Sequence, residues 1–188
     1  MQPGGRVPAP GILEPVQAFA NSKDLLTKQE VLTSAEMLRA WLVTRHLIAK
    51  DETISEDDFQ HALAFREALR SLIHANNGSE IDGGGLEVLN QAARRAHLSI
   101  RFSHDGRAEL EPDAPGLDGA LGRILASVSR AMTDGTWARL KACRNEECQW
   151  VYYDTSKNRS GTWCTMAMCG NRLKAHTYRQ RRMKREDT

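Results

Sequence analysis

The segments Cys143-Arg-Asn-Glu-Glu-Cys148 and Cys164-Thr-Met-Ala-Met-Cys169 hold every cysteine of a 188-residue chain, in the pattern C-x4-C-x15-C-x4-C. The opening residues, Met1-Gln-Pro-Gly-Gly-Arg-Val-Pro, lack the apolar stretch of an export signal, so the expected compartment is the cytoplasm, where thiols stay reduced. Two short-spaced pairs separated by a longer loop then suit a metal rather than disulfides. Each pair supplies two thiolates from one turn, and the loop folds back to close a tetrahedron. Cys143, Cys148, Cys164 and Cys169 are therefore the expected ligands of one Zn²⁺. Four sulfurs leave no open position for water, so the site is expected to be structural and not hydrolytic. A segment this small has too little core to fold alone, and structural zinc supplies roughly 10–16 kcal/mol.

Downstream, Gly170-Asn-Arg-Leu-Lys-Ala-His-Thr-Tyr-Arg-Gln-Arg-Arg-Met-Lys-Arg185 has strong helix potential. A Cys169 in the first turn would have its thiolate stabilised by the helix N-terminus. On a helical wheel Arg172, Arg179 and Arg182 fall on one side, and Lys174, Arg181 and Arg185 nearly opposite. Such a helix has little apolar stripe to pack and gains from a polyanion that neutralises it. Between the pairs, Gln149-Trp-Val-Tyr-Tyr153 is strand-like and predicts the hairpin that brings them together. Knuckle, hairpin and ligand-bearing helix describe a treble-clef-like finger or, more loosely, a zinc ribbon. Asp154-Thr-Ser-Lys-Asn158 opens like a calcium loop but fails at the sixth position (Arg159) and the twelfth (Thr165). It reads better as an Asx- or Ser-capped turn with a basic tip. Arg144, Lys157, Arg159 and Arg172 suit either support of the metal site or contact with phosphate.

The net charge of +2 conceals a division. Residues 1–138 carry 14 Lys+Arg against 19 Asp+Glu, whereas residues 139–188 carry 12 against 5, a net of −5 beside a net of +7. A basic quarter on an acidic body points to a polyanionic partner for that quarter. Composition is that of a globular protein, 40% apolar and 27% charged, and no stretch approaches the ~18 apolar residues of a membrane helix.

Upstream, residues 1–12 are rich in Pro and Gly and read as a flexible arm, and residues 13–21 are apolar but too short to assign. Thr33-x-x-Glu36 predicts a capping box opening a helix to about Lys50, with Met37, Leu38, Trp41, Leu42 and Ile48 as its buried stripe. Ser55-x-x-Asp58 caps a second helix, which Asn76-Asn77-Gly78 stops. Gly83-Gly84-Gly85 reads as a flexible linker before a third helix, about Leu86 to His97. Leu98–Ser103 alternates as a half-buried strand does, turns at His104–Arg107 and returns through Ala108–Glu111. A fourth helix, about Leu117 to Thr133, is expected to bury Leu121, Ile124, Leu125, Val128 and Met132. The fold class is thus α+β, mostly α: a helical domain with one β-hairpin, then the finger. Residues 1–135 contain no catalytic nucleophile motif and no phosphate-binding loop, and their histidines are scattered, so the expected chemistry is binding and not catalysis.

The run Asp154-x-Ser156-x-Asn158-Arg159-Ser160, Trp163-Cys164-x-Met166-x-x-Cys169-Gly170-Asn171-Arg172-x-Lys174, with Tyr178-Arg179-x-Arg181, resembles the CGNR zinc finger family, named for the tetrapeptide at 169–172. The match extends back to Cys143 and Cys148. The part before it is similar in layout to the ABATE domain, and Phe19-Ala20-Asn21-Ser22 resembles that domain's early Phe-x-Asn-Thr signature. Gly161 departs from the family, which usually has Arg there. The resemblance implies a stress-linked bacterial transcription regulator with three parts: an arm at 1–12, an ABATE-like domain at 13–135 and the finger with its basic helix at 136–188. DNA is the expected partner, through Arg159, Arg172, Lys174, Arg179, Arg181 and Arg182. The N-terminal domain is expected to dimerise or to sense a small-molecule effector. The alternative is a structural zinc module for RNA or a protein, for which Tyr152, Tyr153 and Trp163 would have to be exposed to stack bases. A third reading is an enzyme with its site in an N-terminal cleft.

Overall fold

The computed structural model describes residues 7–171. The architecture is α+β and mostly α, with five α-helices, three two-stranded antiparallel hairpins and a cluster of four cysteines among the described residues. The elements run α1 (Leu13–Ala20), β1 (Lys23–Asp24), β2 (Gln29–Glu30), α2 (Ala35–Thr44), α3 (Glu56–Ala75), α4 (Gly83–Arg95), β3 (Leu98–Phe102), β4 (Ala108–Pro112), α5 (Gly116–Thr133), β5 (Leu140–Ala142) and β6 (Val151–Tyr153). The unassigned apolar stretch is α1, whose Val16, Phe19 and Ala20 are fully buried. Eight residues cannot hold a helix alone, so tertiary burial makes this one. Its start is fixed by Ala9, in the stretch expected as the arm: Ala9 is buried and its N–H donates to Gln17 Oε1 at 2.7 Å.

α3 is the central rod. Its capping box forms as expected, with Ser55 Oγ accepting from Asp58 N at 3.1 Å and Asp58 Oδ2 accepting from Ser55 N at 3.0 Å. Phe59, Ala62, Phe65, Leu69 and Ile73 bury its apolar face, and Phe65 and Trp41 both pack on Phe19. Two arginines are buried among them. Arg66 makes a two-pronged pair with Glu30, both contacts at 2.8 Å, and Arg70 bonds the carbonyls of Ala20 and Lys23. These charges are tolerated because each guanidinium is fully partnered.

Five expectations are corrected. The cap of α2 is Ser34, not Thr33: Ser34 accepts from Met37 N at 3.2 Å. The helix stops at Thr44, not near Lys50, because His46 turns left-handed (φ 56°) and the N–H groups of His46 and Leu47 bond back to Val43 and Leu42. That is a Schellman closure, here without glycine. The three glycines are the first turn of α4, because Asp82 accepts from the N–H groups of Gly84 and Gly85, both at 3.0 Å. Met37 and Met132 face solvent. The β3–β4 hairpin forms as expected, with Ile100 opposite Leu110, but it is not half-buried: Ile100 is 63% exposed and Phe102 78%.

The main core does not end at α5. Trp137, Leu140, Ala142 and Val151 belong to it, so the finger's own hairpin is built into the helical body.

Candidate metal centre

The first cysteine pair occupies the turn of the β5–β6 hairpin, with Cys143 directly following Ala142 and Cys148 three residues before Val151. The strand partner of Val151–Tyr153 therefore precedes the first pair, where a hairpin lying wholly between the pairs was expected. The knuckle is tied by Cys143 N to Trp150 O at 3.0 Å and by Cys148 N and Gln149 N to Asn145 O at 2.8 and 2.9 Å. Gln149 is forced left-handed (φ 43°) at its exit. The second pair closes from the far side. Thr165 caps a single π-helical turn, Met166–Gly170, by accepting from Met168 N at 3.0 Å, and Cys169 lies inside that turn. A Cβ at Gly170 would meet the flexible end of Met166 (Sδ at 2.6 Å) and Trp163 Cδ1 at 3.2 Å.

All four sulfurs are buried and lie within 4.8 Å of one another. Cys148 and Cys164 are 3.7 Å apart, and Cys164 and Cys169 3.6 Å. A tetrahedron with metal–sulfur bonds of about 2.3 Å has edges of about 3.8 Å, so the cluster has the size that Zn²⁺ requires, whereas a disulfide would need about 2.05 Å. Asn145 Nδ2 donates to Cys169 Sγ at 3.5 Å. The thiols compete for charge. S–H donation from Cys148 and Cys164 draws Cys143 far down, to about 2, while Cys148 is pushed far up and Cys164 to about 12 by the charge and hydrogen bonding of Cys143. Four thiolates at these separations need a divalent cation, and the donor set is soft sulfur only. The group fits one structural zinc.

A polar frame braces the centre. Asp154, buried, accepts from Ser156 N at 3.0 Å, Gly161 N at 2.7 Å and Lys141 Nζ at 3.0 Å. Lys141, also buried, reaches the carbonyls of Arg159 and Gly161 as well. Burial opposes ionisation of Asp154, but the Ser156, Lys141 and Gly161 hydrogen bonds outweigh it and hold its carboxyl at about 2. The Asx turn read from the sequence is thus present, and its buried lysine was missed. Nothing local marks Lys141, because its partner is thirteen residues on. At Gly161 any Cβ would lie 2.8 Å from Asp154 Oδ2, so this chain fills with a carboxylate the space that a side chain at 161 would use.

A second missed set joins the centre to the body. Asn76 Nδ2 donates to Trp137 O and Leu140 O at 3.0 and 2.9 Å, and Asn77 Nδ2 to Ala142 O and Thr162 O at 2.8 and 2.9 Å. Asn21 stands in for a strand against Val151, accepting from its N–H at 2.8 Å and donating to its C=O at 2.7 Å. Arg144 donates to Asn77 O at 2.9 Å, which makes it a bracing residue. The Asn76-Asn77-Gly78 stop carried a turn signal only; its second use depends on the tertiary fold.

Of the expected nucleic-acid residues, Arg159 is exposed at the tip of the 154–161 loop in a left-handed turn (φ 51°). Arg172, Lys174, Arg179, Arg181, Arg182 and the expected basic helix lie outside the described residues. Tyr152 is fully buried and donates its hydroxyl to Gly161 O at 2.8 Å, so it offers no stacking face; Tyr153 and Trp163 are half-buried. Among the described residues no helix is long and apolar enough to cross a membrane.

Comparison with known families matches these two regions separately. The CGNR zinc finger covers residues 139–182, which include the four clustered cysteines. ABATE, described as "Putative stress-induced transcription regulator", covers residues 13–135, the helical body to which Asn21, Asn76 and Asn77 belong. Both are of regulatory or zinc-finger type rather than enzymes. No curated protein matches the chain. The body against which the finger is braced thus accounts for most of the sequence, and the chain belongs to the ABATE family, with a CGNR zinc finger following its domain.

Proposed function

We propose that the chain is a DNA-binding transcription regulator in which Cys143, Cys148, Cys164 and Cys169 hold one Zn²⁺. When bound, the metal supplies a cross-link and no reaction. The protein's own residues do the rest: the Asp154–Lys141 frame holds the tip loop, and the finger's cations contact the phosphate backbone. Arg159 belongs to that contact surface, with Arg172, Lys174, Arg179, Arg181 and Arg182 following in sequence.

The observation that carries this reading is how the cations are partnered. In the helical body Arg39, Arg66, Arg70, Arg94, Arg95, Arg101, Arg107 and Arg130 each pair with a carboxylate. Two arginines there have other partners, Arg45 stacking on Trp41 and Arg123 bonding Leu47 O, and Lys23, Lys28 and Lys50 pair with no carboxylate among the described residues. In the finger Lys141 pairs with Asp154, and Arg139 and Arg144 donate to backbone carbonyls, while Lys157 and Arg159 pair with no carboxylate among the described residues. Cations left without acids in the segment of net +7 suit a polyanion, and phosphate contacts release counterions. The burial of Tyr152 weighs against single-strand stacking as the main mode. The helical body serves as the dimerising or effector-sensing part, and the cytoplasm is the compartment that keeps the thiolates reduced.

Selection from a random duplex pool tests the proposal. One recovered motif, lost in an Arg172→Ala/Arg179→Ala variant that keeps its zinc, is the expected result. Affinity that is flat between low and moderate salt overturns it.

A further inference from the structure

Four thiolates around one Zn²⁺ carry a formal charge of −2, and that charge has to be offset from outside the ligand set. The two cations next to the first pair are committed elsewhere. Lys141 is bonded to Asp154 and to the carbonyls of Arg159 and Gly161, and Arg144 to Asn77 O. The sulfurs take neutral N–H groups instead. Cys143 Sγ accepts from the backbone N–H groups of Cys164 and Asn145, and Cys148 Sγ from that of Trp150. Cys169 is supported differently. The N–H groups of Cys169 and Gly170 are both given to Thr165 O, at 3.2 and 3.1 Å, and the N–H donor at its sulfur is a side chain, Asn145 Nδ2 at 3.5 Å.

Asn145 lies in the middle of the first knuckle and uses each of its polar groups there. Its carbonyl accepts from Cys148 N and Gln149 N, its Oδ1 accepts from Glu147 N at 3.2 Å, its backbone N–H donates to Cys143 Sγ and its Nδ2 to Cys169 Sγ. The partners fix which way the amide points. Turned over, it would set its NH₂ against the Glu147 N–H and its oxygen against a thiolate. The oxygen thus shapes the turn of the first pair, and the nitrogen supports a ligand of the second pair 24 positions on. We infer that Asn145 is a positioning residue of the zinc site, whose amide holds the Cys169 thiolate on the metal and draws electron density from that sulfur. Cys169 is the last ligand before the basic run at 172–185, so this one hydrogen bond secures the ligand from which that run departs. The role requires a donor. Aspartate has the same shape and keeps the contact to Glu147 N, but it has no N–H to give and adds a negative charge beside the sulfurs. The inference rests on the zinc of the function proposed above and not on its DNA-binding part.

The full chain, as wild type, Asn145→Asp and Asn145→Ala, tests it. Competition with a chelator measures Zn²⁺ affinity, and both variants are expected to bind about 10–100-fold more weakly, Asn145→Asp at least as weakly as Asn145→Ala. With Co²⁺ as the probe, the visible bands of a tetrahedral four-sulfur site are expected to persist in both variants. The sulfur-to-cobalt charge-transfer band is expected to move to longer wavelength, because a thiolate without its N–H donor gives up an electron more readily. Alkylation of the zinc-loaded chains by iodoacetamide, read by peptide mass, is expected to reach Cys169 faster in Asn145→Ala than in the wild type. An Asn145→Asp chain that matches the wild type in affinity and charge-transfer energy overturns the inference, because the residue then serves only the turn, which aspartate preserves. Loss of the tetrahedral bands in both variants also overturns it, because the residue then builds the whole knuckle. A wild type without one equivalent of zinc overturns this inference and the zinc reading together, whereas a zinc-loaded wild type beside an unchanged Asn145→Asp overturns this inference alone.

Discussion

Removing the metal should melt the helical body, not only the finger. Cys143 follows Ala142 with no intervening residue, and Leu140, Ala142 and Val151 are fully buried in the main core. Without a cation the four sulfurs are no longer cross-linked, so the β5–β6 turn opens and the strands lose their register. Leu140 and Val151 alone are worth about 1.5–3 kcal/mol each when buried, together about 3–6 kcal/mol. The amides of Gln17, Asn21, Asn76 and Asn77 lose their carbonyl partners as well. Against a total stability of about 5–15 kcal/mol this is a large share. Chelation should lower Tm by about 10 °C or more. Calorimetry with and without chelator, together with amide exchange in α3, measures it. The expected record is one cooperative transition that shifts as a whole, loss of protection at the C-terminal end of α3, and recovery on adding Zn²⁺. Two separate transitions, with the upper one and the α3 amides indifferent to chelator, would refute the shared core.

Four further outcomes follow. Asn77→Ala leaves the buried carbonyls of Ala142 and Thr162 without their donor and should cost about 2–4 kcal/mol by denaturant titration, while Asn77→Asp, which lacks the amide donor, should not rescue it. Lys141→Met leaves the Asp154 carboxylate buried beside no cation and should cost about 3–5 kcal/mol, more than the double change Lys141→Met/Asp154→Leu. Because Asp154 is held at about 2, below its ordinary value of about 3.8, its contribution is complete above about pH 4 and is lost as pH falls toward 2; Asp154→Asn should flatten the acid limb of stability against pH in that window relative to wild type. Arg159→Gln should weaken duplex binding by a similar factor for every sequence and reduce the slope of log affinity against log salt by about one, as fluorescence anisotropy across a salt series would show.

What the sequence discloses divides along the range of the interactions. Ser55-x-x-Asp58, Asp105-Gly106 and the C-x4-C pairs are local patterns, and each formed where its spacing placed it. The Asx turn at Asp154 is local too and was legible. The failures are cases where a distant contact outweighed a local preference. Three glycines read as a linker became a helical turn because Asp82 caps them and α3 packs beside Gly85. Thr33 lost the cap to Ser34, the neighbour with the same chemistry one residue on. Alternation in Leu98–Phe102 correctly gave a strand, yet period alone does not say whether the apolar face is covered, and here it is not. In the metal centre the ligand set was readable, but Lys141, Asn21, Asn76 and Asn77 were not, since their partners lie 13 to 130 positions away.

The asparagines that end α3 have a geometric consequence. A helix of 20 residues is a stiff rod roughly 30 Å long, and its C-terminal tip grips the finger through four carbonyls. The finger therefore has no swivel: its aim is inherited from the axis of that rod. Wherever the body is seated, the bearing of the tip loop is already set, and the distance between two such loops in any symmetric assembly is a matter of solid geometry instead of tether length.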